Sequence, residues 1–322
     1  MMHRILILCV SIIYSVFCQT NDILTFVVAG DSRGSDNGIN RMVLSELRDA
    51  VLKEKAELVI FPGDLVTGPK DYATMMAYFS NWASEFMLPL KNAGIPVYAV
   101  RGNHDLVSSG SNAAAWNDTF SGDFAMPQNG PEKERNLTYA VSRKNALFIG
   151  LDVYITGRTG IADVAWMQSV LATNTLPHVF AFTHVPLYPL SGKGAHADGY
   201  AYSKDIKGAR VPERDAFVYA LSAAGSYAYF CGHDHWFDAG SITLTNGREF
   251  YQMLSGGAGA PIRKWEGSNY AEPAMKNITH FDDFGYLVVV ITGDDVAMTA
   301  KRRSAANTFD EIATVRYTAA KK

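Results

Sequence analysis

Five short apolar segments of this chain each run directly into a side chain that can bind metal, and this pattern constrains the fold more than any other feature. The apolar segments are 24–29, 58–61, 97–100, 179–183 and 227–231. They lead into Gly30-Asp31, Gly63-Asp64, Gly102-Asn103-His104-Asp105, His184 and Gly232-His233-Asp234-His235. Segments of this length and composition predict buried strands. Ligands of α/β sheets bind at the carboxyl ends of the strands, so we expect these side chains to meet at one sheet edge.

The remaining chain alternates strand-like and helical segments, which predicts an α/β fold. Further strands are predicted at 138–141, 146–151, 250–254 and 286–291, and helices at 38–54, 72–93, 164–172 and 213–224. Two long segments, 108–135 and 187–210, are rich in loop-forming residues and are expected to shape a pocket over the site.

The first 18 of the 322 residues have the pattern of a secretory signal peptide, with a basic start followed by an apolar stretch. We therefore predict a secreted, periplasmic or lumenal protein, in which residues 19–322 form a single catalytic domain. An uncleaved N-terminal anchor is the alternative. The formal net charge is −3 with no basic cluster, which argues against a nucleic-acid groove, and no later segment is long and apolar enough to span a membrane.

The polar residues at the strand ends offer oxygen and imidazole donors without thiolate, which suits metals such as Mn, Zn or Fe. The six candidate ligands are Asp31, Asp64, Asn103, His184, His233 and His235. Two neighbouring metals need a shared carboxylate, and Asp64 is the natural bridge. Each residue alone has an ordinary structural explanation, such as a helix cap for Asp31 or a turn for Asn103. Agreement among five strand ends favours a metal site.

This ordered set of motifs, GD…GD…GNHD…H…GHDH, resembles the calcineurin-like metallophosphoesterases, and the resemblance extends from Thr25 to about Leu254. Segments 126–131, 137–139 and 148–152 are more loosely similar to the purple acid phosphatase branch. The resemblance implies a four-layer αββα sandwich of two mixed β-sheets. It also implies hydrolysis of phosphate esters by a metal-activated hydroxide.

The resemblance further assigns a role to each motif residue. It implies that Asp64 bridges two metals. It places Asn103, His184 and His233 on the second metal and Asp31 and His235 on the first. His104 would act as proton donor or phosphate clamp, with Asp105 as its orienting partner.

One position departs from the family pattern. The first motif usually reads Asp-x-His, whereas this chain has Asp31-Ser32-Arg33, and the tyrosine that purple acid phosphatases supply is replaced by Thr67. A guanidinium cannot be deprotonated at ordinary pH, so Arg33 is not a ligand. In one interpretation Arg33 grips a phosphate oxygen beside two metals. In the other its charge partly replaces the first metal and leaves a mononuclear centre.

The sequence thus predicts a secreted metal-dependent phosphoesterase whose partner is a phosphate-ester small molecule or a phosphorylated substrate. Arg33 favours a dianionic monoester, whereas GNHD is found in several diesterase branches. The alternative is a non-catalytic binding protein that keeps the fold with a degraded first metal site.

Overall fold

The computed structural model describes residues 23–68, 71–107, 113–158, 160–188, 211–265 and 275–320. The predicted signal segment, 1–18, lies outside this part of the chain, and so do residues 108–112 and 189–210 of the two predicted pocket segments.

The described chain contains fourteen strands and six α-helices. The strands are β1 (Ile23–Val28), β2 (Arg33–Asp36), β3 (Leu58–Phe61), β4 (Val97–Ala99), β5 (Tyr139–Arg143), β6 (Ala146–Gly150), β7 (His178–Phe182), β8 (Ala228–Cys231), β9 (Phe237–Thr243), β10 (Glu249–Ser255), β11 (Lys276–Phe281), β12 (Gly285–Thr292), β13 (Asp295–Ala305) and β14 (Thr308–Thr318). The helices are α1 (Arg41–Lys53), α2 (Tyr72–Trp82), α3 (Leu88–Asn92), α4 (Ala114–Thr119), α5 (Val164–Thr173) and α6 (Val211–Ala223).

Two mixed sheets form the centre of the fold. The first has the order β14-β13-β12-β1-β3-β4 and the second β11-β9-β10-β8-β7-β6-β5. Strands β1, β3 and β4 are parallel to one another, and so are β6, β7, β8 and β10. Their carboxyl ends therefore lie at one edge of each sheet, where the motif residues follow.

Side-chain alternation along the strands produces four layers, because successive residues point to opposite faces of a sheet. On β1, Phe26 packs between the sheets, with its ring 5.0–5.8 Å from those of Phe148, Phe180 and Phe230. On the outer face of the first sheet, Phe61 contacts Trp82 of α2 at 5.1 Å. On the outer face of the second sheet, Tyr229 contacts Phe217 of α6 at 5.8 Å. The predicted αββα sandwich is confirmed.

The predicted helix over 72–93 is divided by a π-helical turn, Ala83–Met87, between α2 and α3. Within the predicted pocket segment 108–135, residues Ala114–Thr119 form α4, which packs against α2. Trp116 and Phe120 are fully buried there, and the indole of Trp116 lies 5.6 Å from the ring of Phe79. In the described ranges no helix is long and apolar enough to cross a membrane.

Candidate metal centre

The turns that carry the motif residues adopt strained backbone conformations. Asp31, Asp64 and His233 have φ values of 64°, 53° and 79°, in the left-handed region that non-glycine residues rarely occupy. Such strain of about 1–3 kcal/mol per residue is found mostly at functional sites. The neighbouring Gly102 allows the turns to approach, because a Cβ there would lie 2.2 Å from Asp64 Oδ1.

Four of the six predicted ligands converge on one point. His184 Nε2 lies 3.0 Å from His233 Nδ1, 3.1 Å from Asn103 Oδ1 and 3.4 Å from Asp64 Oδ1. His233 Nδ1 lies 3.0 Å from Asn103 Oδ1. These are the residues that the resemblance assigns to the second metal, with Asp64 as the bridge.

The ring orientation of His184 is set by the backbone. Its Nδ1 lies 2.8 Å from the carbonyl oxygen of Pro62, which can only accept, so Nδ1 carries the proton. Burial lowers the pKa of His184, so the ring is neutral. Nε2 therefore presents its lone pair to the converging group, in the arrangement by which metal-binding histidines are oriented.

This cluster of acceptors fits a metal ion. The four atoms that converge are His184 Nε2, His233 Nδ1, Asn103 Oδ1 and Asp64 Oδ1, and of these only His233 Nδ1 could carry a proton. Without a metal, the remaining contacts among them would place one lone pair against another. Ligands about 2.1 Å from a metal lie about 3.0 Å apart at a right angle and about 3.4 Å apart at the tetrahedral angle. The observed separations of 3.0–3.4 Å match this range. Asp64, Asn103, His184 and His233 can therefore hold one metal.

The first predicted position is built differently. Arg33 Nη2 and Nε lie 3.2 and 3.4 Å from His235 Nε2, and Nε lies 3.6 Å from Asp64 Oδ2. His235 Nδ1 lies 3.0 Å from the carbonyl oxygen of Pro261, so Nε2 is the acceptor of the Arg33 N–H groups. Burial and the Arg33 charge lower the pKa of His235 to about 3, and the ring is neutral.

Asp31 is fully buried beside this position. Its Oδ2 accepts a hydrogen bond from the backbone N–H of His233 at 2.9 Å, and its Oδ1 makes none with any described residue. Burial and the charge of Asp64 raise the pKa of Asp31 well above its usual range. An oxygen of Asp31 and ligand atoms of Asp64 and His184 all lie within 4.8 Å of one another. Asp31 thus lies within reach of the cluster around His184.

His104 and Asp105 have different surroundings. The backbone N–H of His104 donates to Asp64 Oδ1 at 2.8 Å, and burial lowers the pKa of its partly exposed ring. Asp105 does not orient that ring, contrary to the expectation from the sequence. Its carboxylate accepts hydrogen bonds from the backbone N–H groups of Gly102 at 2.8 Å, Leu65 at 3.0 Å and Val66 at 3.3 Å. These bonds tie the Asp64 turn to the Asn103 turn, so Asp105 is a positioning residue.

Sequence reasoning missed two residues behind the cluster. Arg101, which directly precedes the GNHD motif, donates from Nε to Asp152 Oδ2 at 2.5 Å, and both side chains are fully buried. Tyr154 is buried with no hydrogen bond from its hydroxyl to a described residue, and its ring lies 6.2 Å from that of His184. The only signal for Arg101 in the sequence was a charged residue between the apolar segment 97–100 and the GNHD motif. No signal pointed to Tyr154.

Solved structures show the same fold at low sequence identity. A purple acid phosphatase from yellow lupin (Lupinus luteus) is 16% identical over 92% of this chain with a TM-score of 0.66, although this chain spans only 54% of that protein. A dimetal phosphatase from Danio rerio is 15% identical over 92% of this chain and 99% of its own, with a TM-score of 0.59.

A third structure with this fold is GAP50, the anchor in the inner membrane complex of Plasmodium. It is 14% identical over 93% of this chain and 90% of its own, with a TM-score of 0.61. A search of curated proteins found no match. The model of the calcineurin-like phosphoesterases matches residues 24–237, which include all six predicted ligands. The chain therefore belongs to the calcineurin-like phosphoesterase family.

Proposed function

We propose that this protein is a metal-dependent phosphoric ester hydrolase. The observation that carries the proposal is the convergence of Asp64, Asn103, His184 and His233 at 3.0–3.4 Å, with a guanidinium and a further imidazole beside them. Membership in a phosphoesterase family makes phosphate esters the expected substrates.

The residues around the cluster have different roles in binding and hydrolysing the substrate. A metal held there would supply Lewis acidity and lower the pKa of bound water. Arg33, whose side chain is 17% exposed, offers a fixed positive charge to a phosphate oxygen. Burial lowers the pKa of His104, which favours the neutral ring, and its backbone N–H is held on Asp64. We propose that the ring N–H of His104 acts as a phosphate clamp by donating a hydrogen bond to an oxygen of the ester.

The guanidinium of Arg33 adds a second positive charge beside the metal. We propose that this favours a phosphate monoester over a diester, because a monoester dianion carries more charge to be neutralised.

We further propose that the protein acts after export, because its N-terminal segment has the pattern of a signal peptide. N-terminal sequencing of protein recovered outside the producing cells would test the export proposal, with an uncleaved start at Met1 as the contrary result.

The test of the activity is hydrolysis of aryl phosphate mono- and diesters by the purified protein, stripped of metal and then titrated with Mn, Zn or Fe. We expect turnover that depends on metal and is lost in Asp64→Asn, with the monoester hydrolysed faster. Asp123→Asn is the matched control, because the side chain of Asp123 is 86% exposed and lies outside the cluster. Turnover that survives in Asp64→Asn would refute the proposal.

One observation favours a second candidate function, a non-catalytic binding protein that retains the fold. Arg33 lies at the position assigned to the first metal, and such a change is expected in a site that has lost catalysis. The same assay separates the two candidates. Absence of turnover above the Asp64→Asn background with every metal and ester would support the binding protein.

A further inference from the structure

We infer that the guanidinium of Arg33 occupies the first metal position, so that the centre holds one metal ion, bound by Asp64, Asn103, His184 and His233. This inference rests on the proposed metal centre, and it concerns the number of ions rather than turnover.

The two positions differ in what faces the lone pairs of their ligands. At the second position the lone pair of His184 Nε2 faces the acceptor oxygens Asn103 Oδ1 at 3.1 Å and Asp64 Oδ1 at 3.4 Å, and a cation between them would satisfy all three atoms. At the first position the lone pair of His235 Nε2 faces N–H groups of Arg33 at 3.2 and 3.4 Å. His235 is thus already satisfied by a cation that belongs to the chain.

Arg33 also approaches the carboxylate that would bridge two metals. Its Nε lies 3.6 Å from Asp64 Oδ2, while Asp64 Oδ1 lies 3.4 Å from His184 Nε2 in the other position. The two oxygens of Asp64 are therefore divided between a guanidinium and the second position. A metal at the first position would have to displace the guanidinium and remain close to its charge, which is unfavourable because like charges repel.

The backbone on both sides fixes where Arg33 lies. The preceding residue, Ser32, donates from its hydroxyl to Leu65 O at 2.7 Å, and its N–H donates to Asp64 O at 3.0 Å. The following residue, Gly34, lies so close to the backbone of Ile39 and Asn40 that a Cβ on it would be 2.5 Å from Asn40 N. Arg33, the first residue of β2, is therefore held by hydrogen bonds and close backbone packing on both sides.

Thr67, which stands where purple acid phosphatases have a tyrosine, does not donate its hydroxyl hydrogen toward the first position. The hydroxyl of Thr67 donates to Gly34 O at 2.8 Å and so belongs to the bracing of the Arg33 turn. The carboxylate of Asp31 remains at the first position, with its Oδ1 3.8 Å from His235 Nε2 and without a hydrogen bond to a described residue, and the charge of Arg33 acts on it there.

The arrangement has a consequence for substrate binding. A guanidinium stays charged at working pH and presents N–H donors in a fixed plane that matches phosphate oxygens. Arg33 would therefore hold the phosphate against the single ion without a second metal.

The experiment measures bound metal per chain. The purified protein is stripped, saturated with Mn²⁺, separated from free ion and analysed by elemental mass spectrometry, and Mn²⁺ electron paramagnetic resonance reports whether two ions couple. Arg33→His, which restores the Asp-x-His motif, is measured beside it. Arg263→Met is the control, because Arg263 also lowers the pKa values of His104 and His235 by its charge but belongs to a different segment.

We expect one uncoupled Mn²⁺ per chain in the wild type and in Arg263→Met, and two coupled ions per chain in Arg33→His. Two ions per chain in the wild type would overturn the inference, and so would a single ion in Arg33→His. One ion per chain in a protein without turnover would refute the proposed function and leave this inference intact.

Discussion

Removing one partner of the buried ion pair between Arg101 and Asp152 should strongly destabilise the protein, because the other charge stays buried. Both side chains are fully buried and joined at 2.5 Å, and Asp152 Oδ1 also accepts from the backbone N–H of Tyr154 at 2.6 Å. In Asp152→Ala the Arg101 charge stays buried without its carboxylate partner, which costs about 3–5 kcal/mol. With a urea dependence of about 3 kcal/mol per M, the unfolding midpoint should fall by about 1–1.7 M.

The assay is equilibrium unfolding in urea, followed by tryptophan fluorescence. The double variant Arg101→Met/Asp152→Leu removes both charges and should recover most of the loss, because replacing a buried pair by apolar residues is often neutral. Asp123→Ala removes one partner of the exposed Lys91–Asp123 pair and should leave the midpoint unchanged. A fall of less than about 1 kcal/mol in Asp152→Ala would refute the reasoning, since a buried unpaired charge costs more than that.

Three further predictions follow from single contacts. Ser32→Ala should lower the free energy of unfolding by about 1–3 kcal/mol, because the buried indole N–H of Trp82 loses its acceptor, 3.0 Å away; an unchanged urea midpoint would contradict this. Burial lowers the pKa of His280, but the carboxylates of Asp238, 3.7 Å from Nδ1, and of Asp282, 2.7 Å from Nε2, outweigh it, and the pKa is raised. The stability that His280 adds relative to His280→Gln should therefore be complete below the unfolded pKa of about 6.5 and be lost as pH rises through the folded value; a difference that grows with pH would contradict it. Tyr154→Phe removes a hydroxyl with no hydrogen bond to a described residue, so the urea midpoint should not fall, and a loss above about 1 kcal/mol would show an unrecognised partner.

The sequence predicted the central strands well, because they are buried and apolar. Strand β3 was predicted over its observed range, and β1, β6 and β8 to within one residue at each end. Strands β2, β9, β11, β13 and β14 were missed. The last two form a long hairpin at a sheet edge whose exposed face carries charges such as Glu311, so the apolar pattern used to find strands is weak there.

The sequence predicted which residues form the candidate site but not how they are arranged. The strand-end pattern selected Asn103, His184 and His233, which the structure brings together within 3.1 Å of one another. The contacts of Asp105 could not be predicted, because its partners are backbone N–H groups, which every residue except proline carries. The position of Arg33 depends on the turn between Ser32 and Gly34, whose hydrogen bonds join segments far apart in the chain.

The central claim is that this edge of the sandwich holds a metal ion on Asp64, Asn103, His184 and His233. The most direct test is an anomalous difference map from crystals grown with Mn²⁺ or Zn²⁺, recorded on both sides of the metal absorption edge. The account predicts one peak about 2.0–2.2 Å from ligand atoms of these four residues, and none between Asp31 and His235. A map without a peak among the four residues would contradict the account.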